Sequence, residues 1–234
     1  IRGHLTTPEI AIPLIAELGM TPRPSQAAVA LLEEVGDLVS KSELQRASWI
    51  SIGTMALMLR DDEPSRARSI VQRLLQRLKN ETERGPQIDL LRGLGNTGSS
   101  EAMRVVKALL SHPDASIRAR VVGVARWVRG DEAEGILVNA VDTDATDEVK
   151  LEALAGLGLR PTNPRTFKTL ERAVNTAKSA AVRESALAQV WRLRDKKPQV
   201  LTLVRAVIEK DPSPELRQNA KELLERYENE KATQ

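Results

Sequence analysis

Few residues in this sequence are placed to do chemistry. The only histidines, His4 and His112, lie far apart, and neither has acids around it at metal-ligand or catalytic-triad spacing. Cysteine is absent, which removes disulfides, thiolate zinc sites and thiol nucleophiles together. Carboxylates cluster at Asp61-Asp62-Glu63 and at Asp142, Asp144 and Asp147, in segments that read as turns. Solvated acids at helix N-termini account for both clusters. No catalytic residue, metal site or cofactor site is therefore expected, and the chain reads as a non-enzyme. Gly93-Leu94-Gly95-Asn96-Thr97-Gly98 fits G-x-G-x-x-G, a dinucleotide fingerprint only where it follows a strand and opens a helix. Here it follows Gln87 to Leu94, whose periodicity is helical. Its glycines read as a left-handed helix end, with Ser99 capping the next helix.

Two further tripeptides have ordinary structural meanings. Arg129-Gly130-Asp131 spells an integrin-binding motif but is also a basic helix stop, a turn and an acidic helix start. Asn80-Glu81-Thr82 is a glycosylation acceptor that matters only in a eukaryotic secretory pathway.

A basic pattern carries further. Arg73, Lys107, Asn139, Arg172 and Arg205 each precede an apolar or alanine pair, at spacings of 34, 32, 33 and 33 residues. Stacked repeats would line Arg73, Lys107, Arg172 and Arg205 into an exposed ridge, able to meet an acidic protein surface, a nucleic-acid backbone or lipid headgroups. Long cationic stems covering apolar surface are the structural alternative. The three tryptophans, Trp49, Trp127 and Trp191, fall at different offsets from the repeat slots. They read as separate anchors, not one base-stacking platform.

The elements that must position these residues are helices. Apolar residues recur at i, i+3, i+4 and i+7 nearly throughout, broken by short Pro, Gly, Asp and Ser clusters. About thirteen helices in antiparallel pairs follow. Starts are marked at Thr7-Pro8-Glu9, Glu63-Pro64-Ser65, Ser99-Ser100-Glu101, Asn163-Pro164 and Ser213-Pro214-Glu215. An apolar-then-basic pair returns at Ile117-Arg118, Val149-Lys150, Val182-Arg183 and Leu216-Arg217, spaced by 32, 33 and 34 residues. That period indicates stacked supersecondary units. Upstream, Ile52-Gly53 and Leu94-Gly95 occupy the slot that recurs at Leu157-Gly158, and the polar run Lys79 to Gly85 reads as an inserted loop.

Composition agrees. Of 234 residues 41% are hydrophobic but only 2% aromatic, so the core must be Leu, Val, Ala and Ile, which suits helix-on-helix packing. Basic residues outnumber acidic ones by 35 to 32, interspersed, and a net charge of +3 is no polyanion-binding signature. No apolar run approaches the roughly 18 to 20 residues that span a membrane. The opening Ile1-Arg2-Gly3 reads as the start of a domain excised from a larger protein, and the compartment is open.

Asp211-Pro212-Ser213-Pro214-Glu215-Leu216-Arg217 resembles the turn and second-helix start of a HEAT repeat. The resemblance implies an all-α, right-handed α-α superhelix of about six helical hairpins, one domain over 1–234, acting as a protein-interaction or scaffolding module. It also implies a ladder of turn acids and basic residues: Asp114 with Arg118, Asp144 with Lys150, and Asp211 with Arg217. Residues 48–128 are further similar to the helical domain of the vitellogenin and large lipid transfer family. Ser51 to Leu57, Leu90 to Gly98 with Ser99 to Leu110, and Ile117 to Val121 carry this likeness. In that family sheets wall the lipid cavity, so this chain would be its helical shell, in contact with lipid only where β-rich domains are present. The partner implied is another protein or another domain of the same chain, with nucleic acid bound along the basic ridge as the alternative.

Overall fold

The computed structural model describes residues 1–38 and 43–232. Among them are thirteen α-helices and no strand. They are α1 (Pro8–Gly19), α2 (Gln26–Leu38), α3 (Glu43–Leu59), α4 (Pro64–Asn80), α5 (Arg84–Asn96), α6 (Ser100–Val106), α7 (Ala115–Val124), α8 (Asp131–Thr143), α9 (Asp147–Gly158), α10 (Pro164–Thr176), α11 (Ala180–Trp191), α12 (Gln199–Lys210) and α13 (Pro214–Ala232). The all-α expectation holds, and all five marked starts open helices. Proline occupies the first turn of α1, α4 and α10, where its missing N–H has no helical partner to lose. Ser99 Oγ accepts from Ala102 N at 3.2 Å and Asn163 Oδ1 from Thr166 N at 2.9 Å, capping α6 and α10.

The expected loop from Lys79 to Gly85 shrinks to 81–83, because α4 runs to Asn80 and α5 begins at Arg84. Pro86 falls in the first turn of α5, where proline is tolerated.

The chain divides into two compact units, Ile1–Leu137 and Val138–Gln234, and the division falls inside α8. In the first unit α1, α3, α5 and α7 neighbour one another in that order, while α4 packs on α3, α5 and α6. Burial follows this arrangement. On α4 the buried residues are Ala67, Ile70, Val71 and Leu74, the i, i+3, i+4, i+7 stripe of a helix covered on one side. On α7 the buried set is nearly continuous, with Ile117, Ala119 and Val121 to Val124, as a helix packed on several sides requires. In the second unit α11 packs on α9, α10 and α12, and α12 on α13. Here α12 buries Val200, Leu203, Val204 and Val207, again a single stripe.

Small residues set the closest approach. A Cβ on Gly53 of α3 would stand 1.9 Å from the Gly93 carbonyl oxygen of α5, and one on Gly93 would stand 2.5 Å from the Trp49 carbonyl oxygen. The two backbones touch there, and only glycine fits.

Candidate interaction surface

Each of the four ridge cations is exposed or half-buried, and each is held by an acid from another helix. Arg73 Nε on α4 donates to Glu33 Oε1 of α2 at 2.6 Å. Lys107 Nζ, just after α6, donates to Glu132 Oε1 of α8 at 2.7 Å. In the second unit Arg172 Nη2 on α10 reaches Asp142 Oδ2 of α8 at 2.6 Å, and Arg205 Nη2 on α12 reaches Glu228 Oε1 of α13 at 3.4 Å. Lys107 lowers the Glu132 pKa through its hydrogen bond and then its charge. Asn139 on α8 is exposed. The charges of these four positions are therefore compensated.

The turn ladder differs from the pairing that the HEAT resemblance implied. Arg118 Nη1 donates to the carbonyl oxygens of His112 and Pro113 at 2.9 and 3.1 Å, and the Asp114 carboxylate instead binds Arg84 of α5 and caps Ser116 N at 2.8 Å. Arg84 is the chief cause that holds the Asp114 pKa down to about 2. Arg217 Nη1 reaches the Asp211 carbonyl oxygen at 2.7 Å, while the Asp211 carboxylate takes Arg183 Nε and Nη2 at 2.7 and 2.8 Å. Asp144 Oδ1 caps Thr146 N at 2.9 Å, and no hydrogen bond or ion pair joins it to Lys150. At the Arg118 and Arg217 turns the basic residue thus binds carbonyls of its own turn, and the turn acid binds an arginine from the preceding repeat. Arg183, whose own turn has no aspartate, is for that reason the best example: its Nη1 also holds Ala177 and Lys178 carbonyls, both at 2.9 Å.

The short motifs fall into place as structure. Gly93 and Gly95 lie inside α5, and only Gly98 takes a left-handed backbone, with φ of 62°. The expected helix end at Leu94 therefore moves to Asn96. Asn96 ties three layers together: its Nδ2 donates to Thr54 Oγ1 of α3 at 3.2 Å, and its Oδ1 accepts from Arg126 Nη2 at 2.7 Å. Gly130, with φ of 101°, turns the chain between Arg129, which reaches Asp61 Oδ2 at 3.2 Å, and Asp131, the first residue of α8. Asn80 is the exposed last residue of α4. Trp49 is buried, Trp127 is exposed, and Trp191 stacks edge-on to Tyr227 at 5.7 Å between ring centres. Among the described residues no group of three or more acids and histidines could hold a metal ion, and no helix is long and apolar enough to cross a membrane.

Two clefts flank the pairing of α4 with α6. One, of about 440 Å³, is lined by Arg60, Arg68, Val71, Gly98, Glu101 and Arg104. The other, of about 370 Å³, lies toward the C-terminal ends of the same helices and is lined by Leu75, Leu78, Val105 and Leu109. Arg68 and Arg104 do not stand out in the sequence, because neither sits at the repeating ridge position.

Residues 71–158 match the family of HEAT repeats. No curated protein matches the chain. Among solved structures the chain is similar to the archaeal HEAT-like repeats protein from Thermococcus onnurineus NA1, at 14% identity over 95% of this chain and 93% of that one, with a TM-score of 0.46. A designed armadillo repeat protein in complex with the peptide (KR)4 is 16% identical over 92% of this chain and 98% of its own, with a TM-score of 0.44. An engineered protein is 16% identical over 85% and 96%, with a TM-score of 0.43.

Proposed function

We propose that this chain is a HEAT-like, non-enzymatic protein-interaction or scaffolding module. The observation that carries this reading is that Arg73, Lys107, Arg172 and Arg205 all have carboxylate partners. A phosphate backbone needs a run of uncompensated cations, whose counterion release drives binding. A surface of paired charges together with exposed apolar side chains is the chemistry of a protein interface. Exposed apolar side chains are also present away from the ridge: Ile10 and Leu14 on α1 are 45% and 42% exposed, one turn apart on the same face. Stacked hairpins act through geometry, presenting side chains from successive helices to one partner.

The test uses immobilised protein in an extract of its source, beside the Ile10→Asp, Leu14→Asp double variant. The expected result is a protein partner retained by the first and lost by the second. Recovery of nucleic acid instead, with affinity falling steeply in salt and abolished by changing the four ridge cations to glutamate, would establish the nucleic-acid alternative. The finer assignment, the helical shell of a vitellogenin-like protein, rests on the sequence likeness of residues 48–128. It is tested by the flanking sequence, which should encode β-rich domains.

A further inference from the structure

We infer that the groove between α4 and α6 docks an extended protein segment that carries carboxylates at one end and apolar side chains at the other. This rests on the protein-interaction reading and gives it a place and a partner chemistry.

Both clefts lie along α4 and α6, and we take them as the two ends of one groove. On α4, Arg68 and Val71 face the first cleft, and Leu75 and Leu78 the second; on α6, the neighbouring residues Arg104 and Val105 do the same. The basic end is the less compensated one. Arg60 bonds Asp61, but among the described residues Arg68 and Arg104 make no hydrogen bond or ion pair. Arg104 does help lower the pKa of Glu132, a carboxylate that Lys107 already holds. Against three guanidinium groups the first cleft has a single acid, Glu101, among its described lining residues. The contrast with the ridge is direct, since every ridge cation is paired.

At the other end Val105 is 58% exposed, beside half-buried Leu75, Leu78 and Leu109. Open apolar surface next to unpaired cations asks for a ligand with both characters. A nucleic-acid backbone carries charge along its whole length and would leave the apolar end uncovered. A phosphate ion would use the basic end alone. Arg68 and Leu75 are seven residues apart, about 10 Å along a helix rising 1.5 Å per residue. An extended segment covers that in about three residues. The fitting pattern is therefore a carboxylate, two spacer residues and an apolar side chain, in either chain direction.

The test is fluorescence anisotropy with the full 234-residue chain. The probes are labelled peptides holding Glu-Glu and Leu-Leu two residues apart, in both orders, flanked by glycine and serine. Saturable binding of one order is expected, weakened about tenfold or more by Arg68→Glu with Arg104→Glu, and likewise by Val105→Asp. Lys150→Glu, in the second unit, should leave it unchanged. Circular dichroism establishes that each variant is folded, and Arg68→Gln with Arg104→Gln replaces the charge reversal if that variant unfolds. Absence of binding by both orders overturns the inference. So does equal competition by inorganic phosphate, by duplex DNA or by a peptide with Leu changed to Ser. Binding that survives the groove variants but is lost with Ile10→Asp and Leu14→Asp overturns the groove and leaves the interaction reading standing.

Discussion

Arg183 and Asp211 form a buried, two-pronged ion pair. Both nitrogens of the fork meet both carboxylate oxygens, and both side chains are buried, at 7% and 4% exposure. Removing one partner leaves the other charge buried and uncompensated, so Arg183→Ala is expected to lower stability by about 3–5 kcal/mol. Urea denaturation measures this directly. The hydrogen bonds from Arg183 lower the Asp211 pKa; desolvation opposes them, and the Ser213 N–H adds a smaller lowering. Because the folded value lies below the unfolded one, the pair's contribution is complete above the ordinary carboxylate range. It is lost as pH falls through the depressed folded value. Stability followed downward from about pH 5 should therefore fall in the native protein and fall less in Asp211→Asn. Parallel curves would show that the carboxylate carries no such linkage. The Arg84–Asp114 pair, with side chains 61% and 25% exposed, is screened by water and contributes little by comparison.

At the scale of elements, the contact between α3 and α5 depends on two missing side chains. Gly53→Ala would drive a methyl group into the Gly93 carbonyl, where backbone has to move, at a cost of about 3 kcal/mol or more. Gly85→Ala meets nothing within 4 Å at the start of α5 and should be neutral or stabilise by about 0.5–1 kcal/mol. Melting temperatures of the two variants separate packing from helix propensity; equal shifts would refute the close approach. Helix starts were legible in the sequence because a cap or a proline acts on its own turn, as at Ser99 and Pro164. The role of Gly93 was not, because it depends on where α3 crosses, and local periodicity assigned Gly93 to a helix end. The ladder was half legible for the same reason. Arg118, Arg183 and Arg217 mark its register, but the carboxylate that completes the Arg183 rung lies 28 residues on, in the next turn. The ridge positions were legible as a periodic set. Their neutralisation by Glu33, Glu132, Asp142 and Glu228 was not, since those acids follow no single offset.

For the whole molecule, near-balance of charge, with thirteen helices among the described residues, leaves stability to many modest contacts between neighbours. Taken as a single domain, the chain should unfold in one calorimetric transition, with van't Hoff and calorimetric enthalpies in agreement. Since α8 contributes residues to both compact units, melting either unit frays the other's helix. Two resolved transitions would assign each unit its own stability and end the single-domain reading. The scarcity of aromatic residues has an optical consequence. The lone tyrosine, Tyr227 on α13, stands edge-on to Trp191 at the end of α11, close enough for its excitation to pass to the indole. Tyrosine emission from this protein is therefore dark while α13 is seated, and its appearance marks the moment that helix lifts away.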